Sequence, residues 1–202
     1  MVYLIGDSHT QSFGSNFKTI WLEAPTAYQN IKKINQIDNK LNSLNINKDV
    51  DYLFFSFGEI DVRCHLGFIS ENNNRSNEDV ISECLNRYLT FLDYYINQDY
   101  KIGVYGVVPS GPYNGLQGNG RHSYKTHIER NKLTEMFNQQ LKNICENKNI
   151  LFKSIFYEIV DKDNYFDYFS VDGIHLNGGL FKTKNDGVNC EILLNDLFKN
   201  LL

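Results

Sequence analysis

The sequence predicts an α/β domain, a mainly parallel sheet with helices on both faces. Three observations carry that prediction. Short apolar runs closed by glycine, such as Val2-Tyr3-Leu4-Ile5 before Gly6 and Leu53-Phe54-Phe55 shortly before Gly58, read as buried strands. Longer segments between them place apolar residues at three- and four-residue steps, as amphipathic helices do. The two kinds of segment alternate along the chain, which is the pattern of βαβ units. No internal repeat or linker divides the 202 residues, a length that suits one domain, residues 1–202, with a sizeable core.

In order, Val2 to Ile5 is the first strand and Lys18 to Leu22 a second short one. From Tyr28 to Leu44 the apolar positions Ile31, Ile34, Ile37, Leu41 and Leu44 predict one amphipathic helix. Asp51 to Phe57 is a buried strand ending at Gly58. Ser76, followed by Glu78 and Asp79, has the form of an N-cap with an acidic first turn. The helix it starts carries Val80, Ile81, Cys84, Leu85, Tyr88, Leu89 and Leu92 on one side. Lys101 to Val108 is the next strand, stopped by Pro109. A glycine-rich stretch, Ser110 to Gly120, lacks the Gly-Lys-Ser/Thr of a phosphate-binding loop and reads as a surface or substrate loop. A helix from about Ser123 to Asn147, a short strand from Ile150 to Phe152 and a closing helix from Val188 to Leu201 complete the chain.

Composition narrows the class of function. Hydrophobic residues make up 42% and the net charge is −4, which argues against a nucleic-acid partner, since that requires a basic face. No apolar run approaches the ~20 residues that span a bilayer, so membrane insertion is not expected. The N-terminus has no basic region followed by a long apolar one, so a cytoplasmic location is the default expectation. Cys64, Cys84, Cys145 and Cys190 show no CxxC spacing. They read as separate reduced thiols, and no metal site can be assembled from them.

Two short motifs carry chemistry. Gly6-Asp7-Ser8-His9 ends the first strand, and in open α/β sheets ligands bind beyond the carboxyl ends of strands. Asp172-Gly173-Ile174-His175 lies just before the last helix. A serine hydroxyl needs a base to take its proton, and histidine is the natural base near neutral pH. A carboxylate must then hold the imidazole tautomer and stabilise the imidazolium. Ser8, His175 and Asp172 supply those three roles once the fold brings the chain ends together. His9 is read as support for the turn, because neighbours along a chain point apart. His122 and His127 are read as surface residues, with Arg121, Tyr124 and Arg130 available for substrate contacts.

These motifs resemble those of the SGNH (GDSL-like) hydrolases. Gly6-Asp7-Ser8-His9 is similar to the family's first block, and Asp172-Gly173-Ile174-His175 to its DxxH block, which contributes triad Asp and His three residues apart. The resemblance implies a three-layer α/β/α sandwich on a five-stranded, flavodoxin-like, mainly parallel sheet. It also separates the chain from ordinary α/β hydrolases, whose nucleophile elbow needs glycine where this chain has Thr10. In the third block, Gly-x-Asn-Asp, Gly58 and Asp61 match but Ile60 replaces the oxyanion-hole asparagine. The resulting Gly-Glu-Ile-Asp-x-Arg resembles a GDSH-type subset found beside polysaccharide-modifying or glycosyl-transferring enzymes. An isoleucine cannot donate a hydrogen bond, so the Ser8 N–H with Arg63, oriented by Glu59, is expected to take over. The second-block glycine is missing as well, leaving the backbone N–H of Ala24 or Thr26; Pro25 has none. Asp7, Ala24, Thr26, Gly58, Glu59, Asp61, Arg63 and His65 are thus the expected oxyanion and substrate-binding set.

The function expected is ester chemistry through an acyl-enzyme, with no metal or organic cofactor. The partner is a small-molecule or carbohydrate ester carrying a small acyl group, acetyl above all. Water as second nucleophile gives an esterase and a sugar hydroxyl an acyltransferase. The alternative is a catalytically weak glycan-binding or accessory domain, suggested by Ile60 and the missing glycine.

Overall fold

The computed structural model describes residues 1–111, 123–160, 169–170, 172, 174–181 and 190–202. Its five strands are β1 (Val2–Gly6), β2 (Lys18–Trp21), β3 (Tyr52–Ser56), β4 (Lys101–Tyr105) and β5 (Leu151–Lys153). All neighbours pair in parallel, in the order β2-β1-β3-β4-β5. The helices are α1 (Ile34–Asn42), α2 (Gly67–Asn72), α3 (Asn77–Ile96), α4 (His127–Asn147), α5 (Phe156–Ile159) and α6 (Cys190–Phe198).

Alternation of side chains along each strand makes the three layers. Tyr3, Ile5, Leu53 and Phe55 face one side and are covered by Ile37 and Leu41 of α1, by α3, and by Leu133, Phe137 and Leu141 of α4. Val2, Leu4 and Phe54 face the other side, under Phe13, Phe17, Ile159 of α5 and Leu194 and Phe198 of α6. Phe198 meets Phe13, Phe17 and Phe54 edge-on, with ring centroids 5.8, 5.4 and 4.8 Å away. Strands buried on both faces explain why β1 and β3 are continuous apolar runs rather than alternating ones.

Chain direction decides where the crevice lies. From β1 the chain steps to β2, then reverses across β1 to β3, β4 and β5. Right-handed crossovers put α1, α3 and α4 on one face and the β1–β2 connection on the other. Connections diverge at the carboxyl ends of β1 and β3, the switch point where such sheets bind ligands.

Most expected elements fall where the sequence places them; α4 starts at His127 rather than about Ser123, α2 and α5 are additional to those expected, and three details differ further. The segment read as one helix from Tyr28 to Leu44 is a 3-10 turn, Ala27–Lys33, followed by α1. Its first two amides, which have no partner within a helix, are capped from a distant segment: the Asp61 carboxylate accepts the N–H groups of Ala27 (2.6 Å) and Tyr28 (3.3 Å). The strand expected to reach Val108 stops at Tyr105, because the Val107 amide and carbonyl bond the Asn138 side chain instead of a strand. On α3 the buried side also includes Phe91 and Tyr95, whereas Leu89 is half-buried. The Ser76 cap is present, accepting from the Asp79 N–H, and α4 starts with a capping box between Thr126 and Glu129. Among the described residues the cysteines form no disulfide. Among the described residues no helix is long and apolar enough to cross a membrane.

Candidate active site

The turn after β1 is set by a close approach. A Cβ on Gly6 would lie 2.0 Å from the Ser56 carbonyl oxygen of β3, so only glycine lets these central strands pair there. Asp7 then caps a 3-10 turn, Ser8–Ser12, its carboxylate accepting the His9 N–H at 2.9 Å. Thr10 Oγ1 donates to the Asp7 carbonyl at 2.8 Å. Ser8 opens this turn, half-buried at the crevice mouth.

The second segment is organised by Asp172. Its Oδ1 accepts the N–H of Ile174 at 2.9 Å and of His175 at 2.7 Å, the two- and three-residue reach typical of an aspartate-led turn. That geometry leaves Oδ2 facing the His175 ring, 2.7 Å from Nδ1, and accounts for the DxxH spacing. A bridge between Ser170 and Leu176 and the Asn177 N–H to Phe169 carbonyl bond, 2.6 Å, close the loop.

These two segments, 167 residues apart, meet: Ser8 Oγ lies 2.7 Å from His175 Nε2. The proton positions follow from the partners. A carboxylate only accepts, so Nδ1 carries the ring proton, Nε2 is left as acceptor and Ser8 donates to it. Asp172 is ionised. Partial burial works against its charge, but hydrogen bonds from the His175 ring and the two amides hold its pKa down at about 2. Phe181 stacks on the His175 ring, centroids 4.2 Å apart and planes within 16°, fixing the ring from its open side.

A cavity of about 400 Å³ opens over this hydrogen-bonded chain, lined by Ser8 and His175 with Trp21, Ala24, Ile60 and Arg63. Glu59 also lines it. Gly58 follows β3 with φ +117°, a conformation that favours glycine, and a Cβ there would meet Phe137 at 2.8 Å. The chain then enters a π-helical turn, Asp61–Leu66. Four residues apart on this helical stretch, Glu59 and Arg63 form a buried two-pronged ion pair through Arg63 Nε and Nη2 (the latter 3.2 Å). Burial opposes charge on Glu59, but Arg63 and His9 keep its pKa below the usual range. Arg63 Nη1 is buried and has no hydrogen-bond partner among the described residues. Ile60, where the resembling block has asparagine, lines the cavity with an apolar side chain.

Other expected site residues lie elsewhere. Asp61 is fully turned to the amides of Ala27 and Tyr28 and to the Cys84 thiol (3.7 Å), and burial pushes its pKa up to about 6. Thr26 caps the 3-10 turn by accepting the Gln29 N–H. His65 is exposed on the π-helical turn. Arg130, rather than reaching out to substrate, is buried and donates to the carbonyls of Lys125 (2.6 Å) and Gly111 (2.9 Å). Tyr124 donates its hydroxyl to Glu71, and His127 begins α4. Most of the glycine-rich stretch, with Arg121 and His122, lies outside the described residues.

Sequence reasoning missed Trp21 and Phe181. Trp21 ends β2 opposite Gly6, is 47% exposed, and donates its ring N–H to the Glu23 carbonyl at 2.9 Å. Its one signal in the sequence is that it is the chain's single tryptophan, near the end of an expected strand.

Comparison with solved structures bears on the architecture. A GDSL-like lipase from Bacteroides thetaiotaomicron superposes with a TM-score of 0.63 at 15% identity, over 100% of this chain and 88% of that one. This chain has the GDSL-like (SGNH) hydrolase fold. An aryl esterase from M. smegmatis shares the fold at TM-score 0.59 and 14% identity, over 100% and 99% of the two chains. So does a carbohydrate acetylesterase from Sinorhizobium meliloti, at TM-score 0.57 and 13% identity, again over 100% and 99%. No family model matches the sequence, and no curated protein matches it. The SGNH-type sheet therefore rests on structure, and the chemistry on the residues at its switch point.

Proposed function

We propose that this protein is a serine ester hydrolase or acyltransferase that removes or transfers a small acyl group, acetyl, on a carbohydrate. One observation carries the reading: an unbroken chain of hydrogen bonds, Ser8 Oγ to His175 Nε2 and His175 Nδ1 to Asp172 Oδ2, each 2.7 Å, open to a cavity at the sheet's switch point. In the proposed reaction Ser8 Oγ attacks the ester carbonyl while His175 Nε2 takes its proton. The imidazolium, stabilised by Asp172, returns that proton to the leaving alkoxide and an acyl-Ser8 forms. Water or a sugar hydroxyl, activated by His175, then cleaves the acyl-enzyme. The Ser8 N–H, the Ala24 N–H and Arg63 Nη1 are the proposed donors to the oxyanion, with Glu59 holding the guanidinium in place.

A sugar acceptor is supported by Trp21, whose anchored and half-open ring offers a stacking face beside Ser8. The S. meliloti neighbour, a carbohydrate acetylesterase, agrees with that choice. A second reading, a catalytically weak glycan-binding domain, is favoured by Ile60 in the cavity wall.

Hydrolysis of p-nitrophenyl acetate separates the two. Turnover by the wild type, its abolition in Ser8→Ala with an unchanged melting temperature, and covalent labelling of Ser8 by a fluorophosphonate are expected. Wild-type turnover equal to the Ser8→Ala background would leave the binding reading standing. Arg63→Ala is expected to lower kcat by about 10²–10³ while KM changes little, the usual cost of losing an oxyanion donor.

A further inference from the structure

We infer that His9 is a positioning residue for the reaction proposed above, a cross-link that holds the Ser8 turn and the His175 loop in register. The side chain is buried, 3% exposed, directly behind the catalytic pair. Its Nδ1 lies 3.1 Å from Asp7 Oδ1, within the turn that carries Ser8. Its Nε2 lies 3.0 Å from the carbonyl oxygen of Ile174, the residue preceding His175 and 165 positions away in sequence. The His9 and His175 rings sit 5.1 Å apart, tilted by 34°.

Both partners of His9 are acceptors. A carbonyl cannot donate, and an ionised carboxylate cannot either, so the arrangement is satisfied only when both ring nitrogens carry protons. The ring is then a buried cation that donates in two opposite directions, one bond to each end of the chain. Burial alone would expel that charge, but the Asp7 carboxylate, with Glu59 and the Ile174 carbonyl, pushes the His9 pKa up to about 9. Asp7, His9, Glu59 and Arg63 thus form a buried set of two anions and two cations, of which Glu59 and Arg63 also line the cavity.

The bond to Ile174 matters because the Ser8–His175 contact is made between separate segments. Ile174 also gives its N–H to Asp172, so a single peptide neighbourhood is held from one side by the carboxylate and from the other by His9. Shifts of about 1 Å in such contacts cost on the order of 10² in rate. A neutral hydrophobe at position 9 would fill the space and leave the Ile174 carbonyl without its donor.

Two substitutions isolate the cross-link. The glutamine amide nitrogen reaches where histidine Nε2 lies, so His9→Gln keeps a donor for Ile174. The asparagine amide nitrogen mimics Nδ1, so His9→Asn keeps the Asp7 bond and loses the one to Ile174. With p-nitrophenyl acetate, His9→Asn is expected to lower kcat by about 10–100-fold with KM within about threefold, and His9→Gln to retain kcat within about fivefold. The two variants should melt alike. Wild-type kcat in His9→Asn, or equal losses in both variants that follow their melting temperatures, overturns the inference. Imidazole ¹⁵N NMR of the wild type gives a test that does not depend on a variant folding. A doubly protonated His9 ring between pH 6 and 8 supports the cross-link, and a neutral ring there overturns it. Ser8→Ala in the same assay separates the two levels: activity surviving Ser8→Ala removes the serine reading itself, whereas its loss beside an unaffected His9→Asn removes only this inference.

Discussion

Asp172→Asn tests the proposed catalytic chain at its most discriminating point. The wild-type carboxylate uses one oxygen for the amides of Ile174 and His175 and presents the other to His175 Nδ1 at 2.7 Å. An asparagine that keeps its oxygen on the two amides must turn its NH₂ group toward Nδ1. Two donors then face each other, and the ring proton moves to Nε2. That nitrogen lies 2.7 Å from Ser8 Oγ and would now donate to the hydroxyl instead of accepting its proton. Nothing is displaced, yet the base is in the wrong tautomer. Such a change costs about 10⁴ in kcat, equivalent to about 5.5 kcal/mol of barrier. The fold loses far less. Lowering the Asp172 pKa from 3.8 to about 2 bounds the contribution of its charge at about 2.4 kcal/mol. The side chain is 47% exposed, so solvent screening reduces this to about 1 kcal/mol. That stability is present above the unfolded pKa, near 4, and is lost as pH falls through 2. At pH 7 a drop of about 2–4 °C in melting temperature is expected. Steady-state kinetics on p-nitrophenyl acetate, run beside thermal unfolding, decides the matter. A kcat within tenfold of wild type, in a folded Asp172→Asn protein, would refute the tautomer argument and with it the assigned role of His175.

Three further outcomes are expected. Gly6→Ala drives a Cβ to 2.0 Å from the Ser56 carbonyl in the centre of the sheet, and should cost about 3 kcal/mol or more in urea unfolding; a midpoint equal to wild type would contradict the close approach. The Asp61 carboxyl, its pKa raised by burial from 3.8 to about 6, takes up a proton in the folded state before it does so unfolded. Stability from this group therefore grows as pH falls through 6 toward 4, by up to about 3 kcal/mol. Against Asp61→Asn, which cannot titrate, the wild type should gain over that window; a difference independent of pH would count against a buried ionisable Asp61. Trp21→Ala should raise KM for an acetylated sugar about tenfold while leaving p-nitrophenyl acetate kinetics within twofold, because only the sugar is proposed to lie on the ring. Equal effects on both substrates would place Trp21 in the fold of the cleft rather than in substrate recognition.

The layers and the chemistry-bearing motifs were legible in the amino-acid pattern alone. Strands β1, β3 and β4 are short apolar runs because a parallel sheet is covered on both faces. Ser76, Glu78 and Asp79 mark the start of α3 because capping is a local bargain between neighbouring residues. Asp172 and His175 are legible as a pair for the same reason, since the aspartate organises amides two and three residues ahead of it. Everything that depends on a partner distant in the chain emerged only with the fold. Asp61, matched by motif to the site, instead accepts the amides of Ala27 and Tyr28, 34 and 33 residues away in sequence. Arg130 is spent on the carbonyls of Gly111 and Lys125. Trp21 reaches the cavity because β2 lies beside β1, and His9, read as a local support of its turn, donates across 165 residues to Ile174. Local hydrogen-bond patterns leave a trace in spacing, whereas a buried polar group is satisfied by whichever donor or acceptor the fold brings to it.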